Sequence, residues 1–176
     1  MKIFYVLTVL FLAGCGNQSS GEKQYSKDSA KSQKYCLNDK PKDTIVDLAN
    51  QGDVEQQLLL AMIYDAGFCQ TPDLKAAELW YSKSANQNYV PAQASLGAFY
   101  LSPGYYKGYG HFNIDQSQYW LDKAIEKENS QAMLYKSALY CDNTYDLEDI
   151  KACRYWLNEA VKFGNEKARQ VLFDLK

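Results

Sequence analysis

An all-α fold, laid out as a short array of antiparallel helix pairs, is what the 176-residue sequence predicts, and three patterns carry the prediction. Trp80, Trp120 and Trp156 lie 40 and 36 residues apart; Tyr64, Tyr100 and Tyr140 lie 36 and 40 apart; Ala92, Ala132 and Ala168 lie 40 and 36 apart. Columns sharing a period of this length mark an architecture in which each unit buries its apolar side on its neighbours. Small residues then sit beside the rings at helical spacing. Ala61, Gly97 and Ser137 come three residues before the tyrosines, Ala77, Ser117 and Cys153 three before the tryptophans, and Ser84, Ala124 and Ala160 four after them. On one helix face such side chains let a second helix come close while the ring fills the space beside it. Helix-end residues fall at the joints: Asp53, Asp146 and Asn165 as N-caps, Thr71 as a cap ahead of Pro72, and Gly52, Gly164, Asn88 and Asn129 as left-handed C-terminal residues.

The chain opens with an address. Lys2 is followed by the nearly all-apolar run 3–12 and the small pair Ala13-Gly14. The run is shorter than the roughly 20 residues a mature bilayer-spanning helix needs and has the layout of an export signal. A core helix, or an ordinary signal peptide with a chance cysteine, are the alternatives. Leu12-Ala13-Gly14-Cys15 resembles the lipobox of bacterial lipoproteins. The resemblance implies removal of residues 1–14, diacylglycerol on the Cys15 sulfur, and a stable anchor of two or three acyl chains. Lipoproteins kept at the inner membrane often carry Asp after the cysteine; Gly16 stands there, which points to the outer membrane with the folded part facing the periplasm. In an organism with one membrane the address is the cell envelope.

Residues 16–35 hold no Leu, Ile, Val, Met, Phe or Trp, so 15–35 are expected to be a lipidated cysteine and a flexible tether. Twenty such residues reach roughly 25 Å on average. The repeat domain is expected over 36–176. A leading helix at about 43–51 caps the first unit. Three units follow, over about 54–89, 90–129 and 130–165, with helix A at 54–65, 91–101 and 130–141 and helix B at 73–88, 115–128 and 147–163. A last helix at 166–175 closes the array. An irregular bundle of six or seven helices is the alternative arrangement.

The segments WYSKSANQNYVPAQASLGAFY (80–100) and WLDKAIEKENSQAMLYKSALY (120–140) resemble Sel1-like repeats, relatives of the tetratricopeptide repeats. The resemblance covers about residues 43–175 and implies a right-handed α/α superhelix, or solenoid, with a concave face. The sequence also departs from the family pattern. The glycine-rich loop between helices A and B keeps Gly67 and Gly104 but offers Asn143 in the third unit, and the second unit is four residues longer than the family's usual 36.

Beyond Cys15 four cysteines remain, which allow three disulfide connectivities in an exported domain. Cys141 ends helix A and Cys153 begins helix B of the third unit, positions that antiparallel packing brings together. Cys36 and Cys69 fall on the edge of the array where the A–B turns lie. The pairs Cys36–Cys69 and Cys141–Cys153 are therefore expected. No close Cys/His spacing suits a metal, and nothing places His111 beside a thiol.

A net charge of −2 and a pI of about 5.4 supply no cationic excess for phosphate backbones, so nucleic acid is not an expected partner. No phosphate loop, nucleophile elbow or zinc motif is present. Glu148-Asp149 sits at a helix start, where negative charge suits the dipole; Ser117 and Ser130 are followed three residues on by Trp120 and Met133, not by the lysine of a β-lactamase. No catalytic residue and no cofactor are expected. The second unit's extra residues fall in its A–B loop, where Tyr105, Tyr106, Tyr109, His111 and Phe112 crowd among three glycines over 103–112. Glycine permits tight backbone paths, and tyrosine offers large contact area at low entropy cost. The loop is the candidate partner surface, with a cover over the repeat edge as the alternative. Gln57, Gln93 and Gln131, with Tyr64, Tyr100 and Tyr140, are candidates for a concave binding face, and a core role is the alternative for the tyrosines. The expectation is a monomeric, membrane-anchored module that binds another protein: an inhibitor or immunity protein for a secreted toxin such as a lipase, or an envelope scaffold or regulator. A weak β-lactamase-like hydrolase is the alternative from another class.

Overall fold

The computed structural model describes residues 34–101, 112–141 and 149–175. A two-stranded antiparallel hairpin, β1 (Cys36–Leu37) with β2 (Lys40–Pro41), precedes eight helices among these residues. They are α1 (Asp43–Asn50), α2 (Val54–Ala66), α3 (Leu74–Asn86), α4 (Val90–Leu101), α5 (Ile114–Ile125), α6 (Ser130–Cys141), α7 (Ile150–Lys162) and α8 (Glu166–Asp174). The pairs α2–α3, α4–α5 and α6–α7 are the repeating helix hairpins; α1 leads and α8 closes. The chain divides within α4 into two compact units, one ending at Leu96 and the other beginning at Gly97.

The strand pair was not expected from the sequence. Its turn residues, Asn38 and Asp39, both adopt left-handed backbone, with φ 51 and 60. Asn and Asp tolerate that conformation better than other side chains, and two such residues in succession make a tight hairpin loop.

In the unit ending at Leu96, α1 buries Ile45 and Ala49, and Gln57 of α2 donates to the Ala49 carbonyl at 2.9 Å. Ser84 of α3 donates to the Val54 carbonyl at 2.7 Å, and Tyr81 donates to Asp65 at 3.1 Å. In the unit beginning at Gly97, α5 crosses the end of α4 so closely that Ser117 donates to the Gly97 carbonyl at 2.8 Å. A Cβ at Gly97 would stand 2.7 and 2.8 Å from Leu121 side-chain carbons and 3.2 Å from its backbone nitrogen. Met133, Leu134, Leu157, Ala160, Ala168 and Val171 form the apolar core of α6, α7 and α8. Every small residue flanking the tyrosine and tryptophan columns is buried.

The joints are more regular than the sequence pattern alone implies. Gly52, Asn88, Glu128 and Gly164 all take left-handed backbone, with φ 100, 61, 58 and 84, and so form one column. Asn129, expected in that role, instead caps α6 by accepting from the Ala132 amide at 2.8 Å. The column also ends the B helices at Asn86, Ile125 and Lys162, short of the expected 88, 128 and 163. The cap of α3 is Asp73, not Thr71: its carboxylate accepts from Ala76 at 3.0 Å, while Thr71 lies too far upstream to reach the free amides of the first turn. The cap of α7 is Asp149, which accepts from Lys151 and Ala152. Asp146, expected there, lies outside the described residues, and α7 begins at Ile150 instead of 147.

Two disulfides are present. Cys36–Cys69 joins β1 to the segment after α2, with Cα atoms 5.4 Å apart, and Cys141–Cys153 joins the end of α6 to α7, at 5.0 Å.

Gly97→Ala is expected to destabilise by about 1–3 kcal/mol, because backbone and a packed leucine must both give way. Glu128→Gly is expected to stabilise by about 0.5–1 kcal/mol by removing the left-handed cost to a side chain, less the greater freedom of glycine when unfolded. Urea denaturation followed by circular dichroism reads both. Replacing Cys141 and Cys153 by serine should cost about 3 kcal/mol, and the Cys36–Cys69 pair, which closes the longer loop, slightly more. The order of the two denaturation midpoints checks this.

Candidate functional site

One backbone contact recurs at the base of every A–B loop. The amide of the B-helix cap donates to the carbonyl of the column tyrosine: Asp73 to Tyr64 at 3.0 Å, Asn113 to Tyr100 at 3.0 Å, and Asp149 to Tyr140 at 3.1 Å. The cap's side chain meanwhile satisfies the first-turn amides of helix B; in α5, Asn113 accepts from Gln116 at 3.0 Å. Each clasp therefore fixes the two ends of the stretch of chain it encloses, residues 65–72, 101–112 or 141–148. All the extra length of the second unit falls inside the clasp at 101–112.

Of the residues expected to contact a partner, Tyr105, Tyr106, Tyr109 and His111 lie outside the described residues, as does Cys15. Phe112 is described, and stands next to the cap Asn113 with 40% of its surface exposed. The glutamine candidates divide. Gln57 and Gln93 are buried and reach back to the preceding helix, Gln57 to the Ala49 carbonyl and Gln93 to that of Ala85 at 3.4 Å. They are joints between successive hairpins and cannot also present themselves to a partner. Gln131 is out of register with them; buried Met133 holds their column in the third unit. Tyr64, Tyr100 and Tyr140 are half-buried. Burial, with the nearby Asp73 carboxylate, raises the Tyr64 phenol above its ordinary pKa. Burial also raises Tyr135, against the opposing effect of its hydrogen bond with Gln131.

Lys136 does not stand out in the sequence. Its column holds Leu60 and Leu96, both fully buried, and its own side chain is 11% exposed. The ammonium pairs with Asp122 of α5 and lies 4.6 Å from the centre of the Trp156 ring on α7. A lysine in a leucine column is the signal that would have exposed it.

Among the described residues no group of three or more His, Cys, Asp or Glu side chains could hold a metal ion, and no helix is long and apolar enough to cross a membrane. The four cysteines there are held in disulfides. What remains is a frame of clasped hairpins. A frame of this kind has been solved before. The chain is similar to a Sel1 repeat protein from Oxalobacter formigenes, with a TM-score of 0.57 and 25% identity over 78% of this chain and 54% of that one. It thus spans about half the length of that relative. No family model matches the sequence, and no curated protein does. The Sel1-like hairpin accounts for the repeated columns, and Lys136 is where this chain fills one of them with a charge.

Lys136→Leu restores the column residue and is expected to leave stability unchanged or raise it by up to about 4 kcal/mol, whereas Asp122→Ala strands the ammonium and should cost about 1–3 kcal/mol. Thermal and urea unfolding of the two variants measure the contrast. Tyr64 and Tyr135 make a second expectation. Folding raises both phenols above the unfolded value near 10.0, so their contribution is complete below pH 10 and is lost as pH climbs through the folded values. Urea midpoints should fall above pH 10, and less steeply in Tyr64→Phe and Tyr135→Phe.

Proposed function

We propose that this chain is an envelope lipoprotein, anchored through Cys15, whose Sel1-like hairpins hold a partner protein with the 101–112 loop as the contact element. The observation that carries the reading is the recurrent clasp: three A–B loops leave from the same backbone contact, and one carries extra residues rich in tyrosine and glycine. A fixed base under a longer aromatic loop is the arrangement by which scaffolds present contacts at low entropic cost. The mechanism is occupancy, in which the frame masks or positions the partner without chemistry of its own.

In its finer form the proposal is an inhibitor or immunity protein for a secreted toxin such as a lipase, held at the outer membrane and facing the periplasm. The lipobox-like Leu12-Ala13-Gly14-Cys15 and Gly16 support the address. Oxidised, tagged protein comprising residues 16–176 is to be mixed with envelope extract and with culture supernatant of competing bacteria. One stoichiometric partner, lost in Y105A/Y106A/Y109A while the melting temperature stays the same, is the expected result. Several weak partners, or a partner indifferent to that variant, would overturn it. Palmitate incorporation in the producing cell, abolished by Cys15→Ser, tests the anchor separately.

A further inference from the structure

We propose that the α7–α8 hairpin is a docking surface for the headgroups of an anionic phospholipid bilayer. Charge is unevenly placed along this chain. Residues 149–176 carry six cations and four acids, and residues 16–35 carry four cations and two acids, whereas residues 36–148 carry eight cations and fifteen acids. An acidic protein thus turns basic at its C-terminal hairpin and in the stretch next to Cys15.

The four acids of the hairpin are already engaged. Asp149 caps α7, Glu159 pairs with Lys162 at 3.4 Å, Glu166 pairs with Arg169 at 3.2 Å, and Asp174 accepts from Gln170 at 3.1 Å. Large apolar side chains stand exposed among the cations: Tyr155 is 55% exposed and Phe173 69%. Arg154 donates to the Leu175 carbonyl at 3.0 Å, which sets the end of α8, with Phe173, against the start of α7, with Lys151 and Tyr155. Aromatic rings favour the headgroup level of a bilayer, and lysine and arginine near an anionic surface are attracted within about a Debye length, roughly 8–10 Å. The proposed contact is peripheral, made by side chains of α7 and α8 at the headgroup level.

An excess of two cations binds weakly in free solution. A surface held near the bilayer by an anchor meets it at an effective concentration in the millimolar range, which makes such a weak surface sufficient. The inference rests in this respect on the anchored reading proposed above. Its consequence is orientation: the anchor holds the chain at the membrane, and the hairpin decides which side lies down on it.

The test uses residues 16–176, which contain every described element, with both disulfides formed and without Cys15, so that it does not depend on lipidation. The protein is sedimented with vesicles of phosphatidylcholine alone and of phosphatidylcholine with phosphatidylglycerol in equal parts. Binding should be at least about tenfold stronger to the anionic vesicles and should vanish near 0.5 M salt, where the Debye length is only about 4 Å. K151E/K167E should lower it about tenfold or more. Both new glutamates fall in the first turn of a helix, where negative charge is favourable, so the fold is expected to stand, and circular dichroism checks this. Tyr155→Ser should weaken binding several-fold without altering its salt dependence. No preference for phosphatidylglycerol overturns the proposal. So does binding that survives K151E/K167E, since residues 16–35 would then carry it, or an equal loss in K75E/K83E on α3. If vesicles are ignored while K151E/K167E releases the stoichiometric protein partner, the surface belongs to that partner and the lipid assignment falls. Palmitate labelling at Cys15 is read independently, so loss of the anchor and loss of the docking surface are distinguishable.

Discussion

Paired helices in this chain come close because the residues at which they meet are small. Gly97 shows the constraint in its most severe form, since the atoms of Leu121 already occupy the space a Cβ would need. At such distances a seam has no room for water, so polar atoms within it must bond to what is there. Ser117 and Ser84 do so by donating to backbone carbonyls of the facing helix, at Gly97 and Val54. The serines therefore serve as small residues that also tie one helix to the next. The large rings of the tryptophan column fill what the small residues leave open, and Trp80 and Trp120 are almost fully buried as a result.

The rest of the frame keeps that seam in register. At one end of each hairpin the clasp between the column tyrosine's carbonyl and the B-helix cap sets where the second helix starts. At the other end a left-handed residue turns the chain into the next hairpin. Gln57 and Gln93 add a link in the other direction, from the start of one hairpin to the end of the helix before it. Stability in such an array is a sum of unit terms and nearest-neighbour terms, and these glutamines belong to the second kind. The extra residues of the second unit lie between the two partners of its clasp, Tyr100 and Asn113.

The fold was legible because its determinants are periodic. The tyrosine, tryptophan and alanine columns, with the small residues beside them, repeat often enough to define helices and their pairing. What was not legible is local and competitive. Thr71-Pro72 reads as a helix start, but the cap is Asp73, whose amide is held by the Tyr64 carbonyl. Asn129 suits a left-handed turn, but its side chain is better used as a cap one residue after Glu128, which accepts the strained conformation. The glutamines looked like surface residues because a buried amide is recognised only by the carbonyl it meets. Lys136 was overlooked because a lysine on a helix is ordinary until its column is seen to be leucine. Of the candidate partner site, only Phe112 and the stems of the loop are in view.

The Cys36–Cys69 bridge has a mechanical consequence. Tension entering the chain from its N-terminal side arrives at Cys36 and passes through the sulfur atoms directly to Cys69. The strand pair, α1 and α2 all lie between those two residues and are thereby taken out of the load path. A pull that would otherwise peel the leading helix from the first hairpin is delivered instead to the start of α3. The leading end of the array is thus the one the covalent shortcut shields.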